Sequence, residues 1–436
     1  MKKWIIISSV IFLWLFVVPK NYAQTEVFFL GHASGVGGRA LSMGSAYLAI
    51  SDDYSATLWN PAGLTQLRRM ELFTSLSYLQ YTNEASYLNI SNTDKTTKTK
   101  LNSIGFAFPI PTYRGSLVFA IGYNQVRSFD AGFYFTHYVN TLDVQQTYTE
   151  IEEGGLNNWV FAGAMEVTKN LSIGVALNLW RGKDDYVLDY FEEDVDVDED
   201  VNNEYTFDDF NYNQQIITKY QAVNFKLAAL YKFTRFIRFG ATIATPVSLD
   251  AKENWTEKAE QTGDPDFPDV SYEESESASW DYGLRAPFVF AAGAAFTLLP
   301  NIVLSADVEY NDWSQTRYTS EPPVGEEFQK NINFKQDFEA TATYRLGGEF
   351  TVPLINTQLR AGLIRQPSPL KQASSKSDRN YITFGGGILL DKQVKIDFSW
   401  VHGWWKREGS YFSEELPSVD EQINIDKFFA TMSIRF

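Results

Sequence analysis

The chain has 436 residues, 37 Lys and Arg against 54 Asp and Glu, a formal net charge of -17, and no cysteine. Disulfides and thiolate metal centres are therefore excluded, and so acidic a surface argues against nucleic acid as a partner. Aromatic residues make up 16% of the chain while its mean hydropathy is only -0.24. That argues against membrane-spanning helices and suits strands that alternate apolar with polar residues.

The chain opens with Lys2-Lys3, an apolar run from Trp4 to Val18, Pro19 and a short polar run to Ala23. This order of charged, apolar and small-residue regions predicts a signal peptide over residues 1–23. The apolar run is shorter than the roughly 20 residues a spanning helix needs. Without cysteine, lipoprotein attachment at the junction is excluded.

From Gly31 to Leu67 the sequence is rich in glycine and small residues, with Gly35, Gly37, Gly38 and Gly44 in the first half and an Asn60-Pro61 turn in the second. Glycine permits close backbone approach and positive φ, and proline fixes φ and removes a donor. Such a stretch cannot bury a core of its own. It predicts a plug, residues 24–69, packed inside a larger structure.

From residue 70 to 436 the pattern changes to period two, the signature of half-buried strands. Leu171, Ile173, Val175, Leu177 and Leu179 share a face, as do Ile302, Leu304, Ala306, Val308 and Tyr310, and Val394, Ile396, Phe398 and Trp400. The intervening Asp307, Glu309 and Asp397 predict a wet lumen on the other face. Six tight turns, at 111–114, 169–170, 234–235, 300–301, 353–356 and 391–393, alternate with seven long polar stretches. Those stretches run over 82–99, 130–157, 192–215, 250–279, 318–332, 366–380 and 408–421. The alternation predicts an all-β fold, a transmembrane antiparallel β-barrel of about fourteen strands.

Two of the long stretches carry most of the acid, Glu192 to Asp209 and Glu253 to Glu276. Oxygen-rich clusters suit Ca²⁺ or Mg²⁺, but the glycine-turned spacing of an EF-hand loop is missing, and a solvated, self-repelling loop accounts for the charge. No other cofactor is expected. His32, His137 and His402 are scattered, no G-x-S-x-G is present, and an enzyme is not expected. Neither Gly31-x-x-x-Gly35 nor Gly385-Gly386-Gly387 continues into the Gly-Lys-Ser/Thr of a phosphate loop. The second lies inside an alternating strand, where glycine lets the strand bend or gives a plug room to pack.

The order GGRALSMGSAY, SDD, WNPAGL, with the later stretches Arg285–Ser314 and Tyr344–Leu370, resembles the FadL/TodX outer-membrane transporters of hydrophobic compounds. The resemblance implies that residues 24–69 are the hatch. Asn60, Pro61 and Ala62 then lie where hatch meets wall, and Gly37, Gly38 and Arg39 shape the plug. It also implies a kink in the third strand, here 115–129, with Gly122 as the internal candidate. The implied function is uptake of long-chain fatty acids or aromatic hydrocarbons across the outer membrane of a Gram-negative-type bacterium, with lateral release into the bilayer. The alternating last strand, ending on Phe436, resembles the signal read by the barrel assembly machinery, an expected partner. PorV-like relatives with similar openings offer an alternative, a non-transporting scaffold or shuttle for secreted proteins. A general porin is disfavoured because a plug would defeat diffusion.

Overall fold

The computed structural model describes residues 35–87, 90–139, 144–195, 207–263, 271–323, 327–355, 357–390, 393–409 and 419–436. The expected signal peptide, His32 and the acidic run 196–200 lie outside them. Among the described residues no helix is long and apolar enough to cross a membrane; the chain crosses with strands.

The plug comes first, as a one-turn helix α1 (Gly38–Ser42) and two 3₁₀ turns, Tyr54–Thr57 and Pro61–Gln66. Strand segments follow in chain order: β1 (Glu71–Tyr87), β2 (Ile90–Ile110), β3 (Leu117–Ser128), β4 (Ala131–Val139), β5 (Val144–Glu166), β6 (Leu171–Asp194) and β7 (Phe207–Lys232). Next come β8 (Ile237–Ala244), β9 (Ser248–Gly263), β10 (Tyr272–Arg285), β11 (Val289–Leu299), β12 (Ile302–Asp312) and the two-residue β13 (Arg317–Tyr318). The chain ends with helix α2 (Glu327–Asp337), β14 (Ala340–Val352), β15 (Thr357–Gln366), β16 (Arg379–Leu390), β17 (Val394–Gly409) and β18 (Val419–Arg435). All ladders are antiparallel between neighbours, and β18 returns to pair with β1, which closes the sheet. The segments β3–β4, β8–β9, β10–β11 and β12–β13 each form one interrupted stave, so the wall is a closed barrel of fourteen staves.

The period-two pattern faces as the sequence requires. Ile173, Val175, Leu304, Val308, Phe398 and Phe428 are exposed on the outside, while Ser172, Asp307, Asp397 and Thr431 are buried inside. At the short-turn end Phe436 stacks on Phe106 at 6.2 Å, and Phe106 on Phe108 at 5.9 Å, as expected of an interfacial aromatic girdle.

Two expectations are corrected. Two of the three acidic inner positions do not face a wet lumen: Asp307 and Asp397 are about 5% exposed or less, because the plug fills the space they face, while Glu309 keeps 25% of its side chain exposed. The long polar stretches are also not mostly loops. Residues 82–99 form the upper part of the β1–β2 hairpin, paired from Thr82↔Lys95 to Tyr87↔Ile90, and 250–279 is largely the β9–β10 hairpin. Strands that rise beyond the bilayer have solvent on both faces, so they lose the apolar alternation while keeping the backbone ladder.

Candidate functional site

The plug is seated against the wall by backbone proximity. Three cross-strand glycine pairs, Gly105↔Gly122, Gly293↔Gly240 and Gly347↔Gly362, sit on neighbouring staves. A Cβ at Gly105 or Gly122 would overlap the Tyr54 ring, one at Gly240 the Leu48 carbonyl, and one at Gly347 or Gly362 the Met43–Gly44 backbone. Each pair is thus a socket for the plug, taking Tyr54, Leu48 and the Met43–Gly44 step in turn. Gly385 similarly receives Ser42, the room for a plug that its position suggested.

Polar bonds add to this seating around the ring. Gly38 N–H donates to Thr431 Oγ1 at 3.0 Å, Leu48 N–H to Asp307 Oδ2 at 2.9 Å, and Gly44 N–H to Thr383 Oγ1 at 2.9 Å. Thr65 Oγ1 donates to Ser172 Oγ at 2.8 Å. Arg39 reaches from α1 to Glu349 through two bonds of 2.7 and 2.8 Å and also pairs with Asp52. On its other side Glu349 accepts from Arg360 at 2.7 Å, and Arg360 continues to Asp397 at 2.7 Å. Burial pushes the Asp52 carboxyl up, but the neighbouring cations together, Arg39 first with Lys395 and Arg238, outweigh it and hold Asp52 well below the usual carboxylate range.

Asn60, Pro61 and Ala62 meet at the junction of plug and wall. Asn60 is fully buried. Its Oδ1 accepts from Ala62 N–H at 3.1 Å and caps the second 3₁₀ turn, which Pro61 begins. Its Nδ2 donates to Leu48 O at 2.7 Å within the plug and to Ala229 O at 3.0 Å on β7. Across from it Gly174 of β6 leaves room for the Pro61–Ala62 backbone. Gly37 precedes α1 with φ 92°, which a side chain would strain.

Gly122 is not where its stave breaks. It pairs in register with Gly105 on one side and Val160 on the other, and its missing side chain makes room for Tyr54. The irregularity lies further along: the β3–β5 register shifts between Gln125 and Arg127, leaving Val126 bulged. Opposite it, the β1–β2 register shifts at Ser75/Leu76 and leaves Asn102 bulged. The β2–β3 ladder runs from Ile110↔Leu117 to Ser103↔Asn124 and stops between these two bulges. Among the described residues, β2 beyond this point is paired with β1 alone and β4 with β5 alone.

Side chains span the resulting window. Asn102 Nδ2 donates to Gln125 O at 3.2 Å, Lys98 meets Glu153 at 2.6 Å, and Lys100 bonds Gly154 O and pairs with Asp130. Higher up, Asn92 Nδ2 donates to Thr136 O at 3.3 Å, and the Tyr87 and Phe135 rings meet edge-on at 6.0 Å. A small cavity of about 20 Å³ opens at the window, lined by Ser77, Leu79, Lys100, Asn102, Arg127, Phe429 and their neighbours. Bulges are common where a wall must turn aside. Nothing local in the sequence marked these two.

Beside the window, Phe129 sits at the break between β3 and β4 and belongs to an apolar cluster that crosses the upper lumen. The cluster includes Tyr220, Leu249 and Tyr282 from the wall, Phe334 from α2 and Phe338 just after it. Phe129 and Tyr220 lie 6.3 Å apart, and Tyr318 and Phe334 5.7 Å apart. A buried apolar cluster is therefore packed beside the window.

The other residues singled out lie elsewhere. His402 stacks between Trp400 and Trp404 at 5.8 and 5.7 Å, with Nδ1 3.0 Å from Asp426, as an aromatic cluster with a polar edge. His137 packs against the Tyr87 and Phe135 rings.

The sequence matches a family model described as outer membrane protein transport protein (OMPP1/FadL/TodX) over residues 21–420. No curated protein matches it. Among solved structures, the fold is similar to the Pseudomonas putida toluene transporter TodX, with TM-score 0.63, 13% identity, and coverage of 93% of this chain and 99% of that one. It is also similar to a Pseudomonas aeruginosa FadL homologue, with TM-score 0.59, 14% identity, and coverage of 93% and 100%. The Ralstonia pickettii toluene transporter TbuX gives TM-score 0.57 and 13% identity, with coverage of 93% and 99%.

Proposed function

Since the chain belongs to the OMPP1/FadL/TodX family of outer-membrane transport proteins, we propose that it takes up long-chain fatty acids or aromatic hydrocarbons through its wall. The ligand is captured on the apolar cluster of the mouth and released sideways through the window between β2 and β3. The observation that carries this reading is the contrast within one barrel: a plug bonded to the wall around its ring, and a wall whose ladder ends at Ser103↔Asn124. The physics favours a sideways route, since returning an apolar chain to water costs about 0.8 kcal/mol per CH₂. Release into the bilayer avoids that cost. The similar structures include two toluene transporters, which supports the aromatic class, and a FadL homologue.

The test is titration of the purified barrel with a fluorescent long-chain fatty acid, with competition by unlabelled fatty acids and by toluene. Saturable, competable binding is expected. Phe334→Ala, which removes a ring from the mouth cluster, is expected to weaken binding about tenfold, equivalent to about 1.4 kcal/mol. No binding of either class would overturn the uptake reading and leave the scaffold for secreted proteins.

A further inference from the structure

We infer that Asn102 is the latch of the window, a positioning residue that ties the start of the plug to the closed state of the wall. It is 2% exposed and occupies the β2 bulge, so its backbone is skipped by the β1 ladder and its side chain turns toward the gap. There Nδ2 donates in two directions, to Gln125 O of β3 at 3.2 Å and to Gly35 O of the plug at 3.3 Å. One amide group therefore joins the two edges of the window and the plug. Both bonds are at or beyond the long end of the normal range, so they are weak ones.

The other end of the same amide points to the latch's release. Oδ1 of Asn102 is buried without a hydrogen-bond partner, and the residue lines the window cavity. A buried, unpaired acceptor favours any rearrangement that supplies it with a donor. Rotation of the Asn102 side chain out of the gap gives Oδ1 access to a donor and frees Gln125 O and Gly35 O together. Of the other ties across the gap, Lys98 with Glu153 is a partly exposed pair of long flexible side chains that yields readily, whereas Lys100 ends on the buried carboxylate of Asp130. Among the ties named across the gap, Asn102 is the one that also bonds the plug. It differs from Asn60, whose Oδ1 and Nδ2 are both bonded and which holds the plug shut.

This inference rests on the release route proposed above, but it can be tested without a ligand. The chain has no cysteine, so a single introduced thiol reports alone. Ser77→Cys places it in the lining of the window cavity, and Ser279→Cys places it on the exposed β9–β10 hairpin as a control. The rate of alkylation by a bilayer-soluble maleimide is measured in the full chain reconstituted in vesicles. Asn102→Ala is expected to raise the rate at position 77 at least tenfold and leave position 279 unchanged. Asn102→Asp keeps the size but replaces the donor with an acceptor facing two carbonyl oxygens, and it should act the same way if the alanine variant does not assemble. Unchanged labelling at 77 in a folded variant overturns the latch, as does an equal rise at both positions. Failure of ligand binding, by contrast, bears on the uptake reading alone.

Discussion

The two sides of this barrel hold their plug and their strands in opposite ways. From β6 round to β18 every stave is backbone-paired to the next, with interruptions at β8–β9 and β10–β11 and only Leu284↔Tyr318 and Arg285↔Arg317 joining β10 to β13. This side carries two of the glycine sockets, the Asn60 bridge to Ala229 and the Arg39–Glu349–Arg360–Asp397 chain. On the β2–β3 side the ladder stops at two facing bulges and only side chains cross. Opening the first side requires breaking buried backbone pairs that nothing in a bilayer can replace. Opening the second requires only rotating side chains whose polar ends reach a cavity. A barrel can therefore keep its lumen sealed and still pass a ligand, provided the weak side is the wall and not the plug.

The largest effect that would break this contrast is loss of a socket. Gly240→Val places a Cβ against the Leu48 carbonyl, backbone against backbone with no flexible atom to give way. The expected outcome is a barrel that refolds with less than a tenth of the wild-type yield, read as the folded, heat-modifiable band on a gel. A yield close to wild type would mean that the plug is not bound at its sockets. A smaller effect is expected from Glu349→Gln, which takes the shared carboxylate from between Arg39 and Arg360. Removing one partner of a buried ionic network costs about 3–5 kcal/mol, to be read as a lower midpoint of urea unfolding. The β2–β3 side should not respond to it.

Much of the fold was legible because its cause is local. Alternation at Ile302–Tyr310 or Val394–Trp400 reports two different solvents on the two faces of one strand, and the tight turns fall where β5, β7 and β14 end. The same signal vanishes where both faces meet water. Lys95-Thr96-Thr97-Lys98-Thr99 therefore read as loop although it is paired strand. The plug motif was legible through its resemblance to a family, but its partners were not. Asp307 and Asp397 read as lumen acids because a sequence does not say what fills a lumen. Gly122 was marked as unusual for a strand, yet its reason, the Tyr54 ring, lies 68 positions earlier in the chain. The bulges at Asn102 and Val126 are products of register between strands, and register depends on the neighbour.

The central claim is tested most directly by stapling each side in turn. Thr65→Cys with Ser172→Cys joins plug to wall where the two hydroxyls already touch. Lys98→Cys with Glu153→Cys, bridged by a short bis-maleimide, closes the window where those side chains meet. Uptake of a labelled fatty acid by cells carrying each staple is then compared with the same cysteine pairs left unlinked. Transport that survives the plug staple and is lost with the window staple is the predicted result. Transport that survives the closed window and is lost with the fixed plug would contradict the account, because the ligand would then be passing through the lumen.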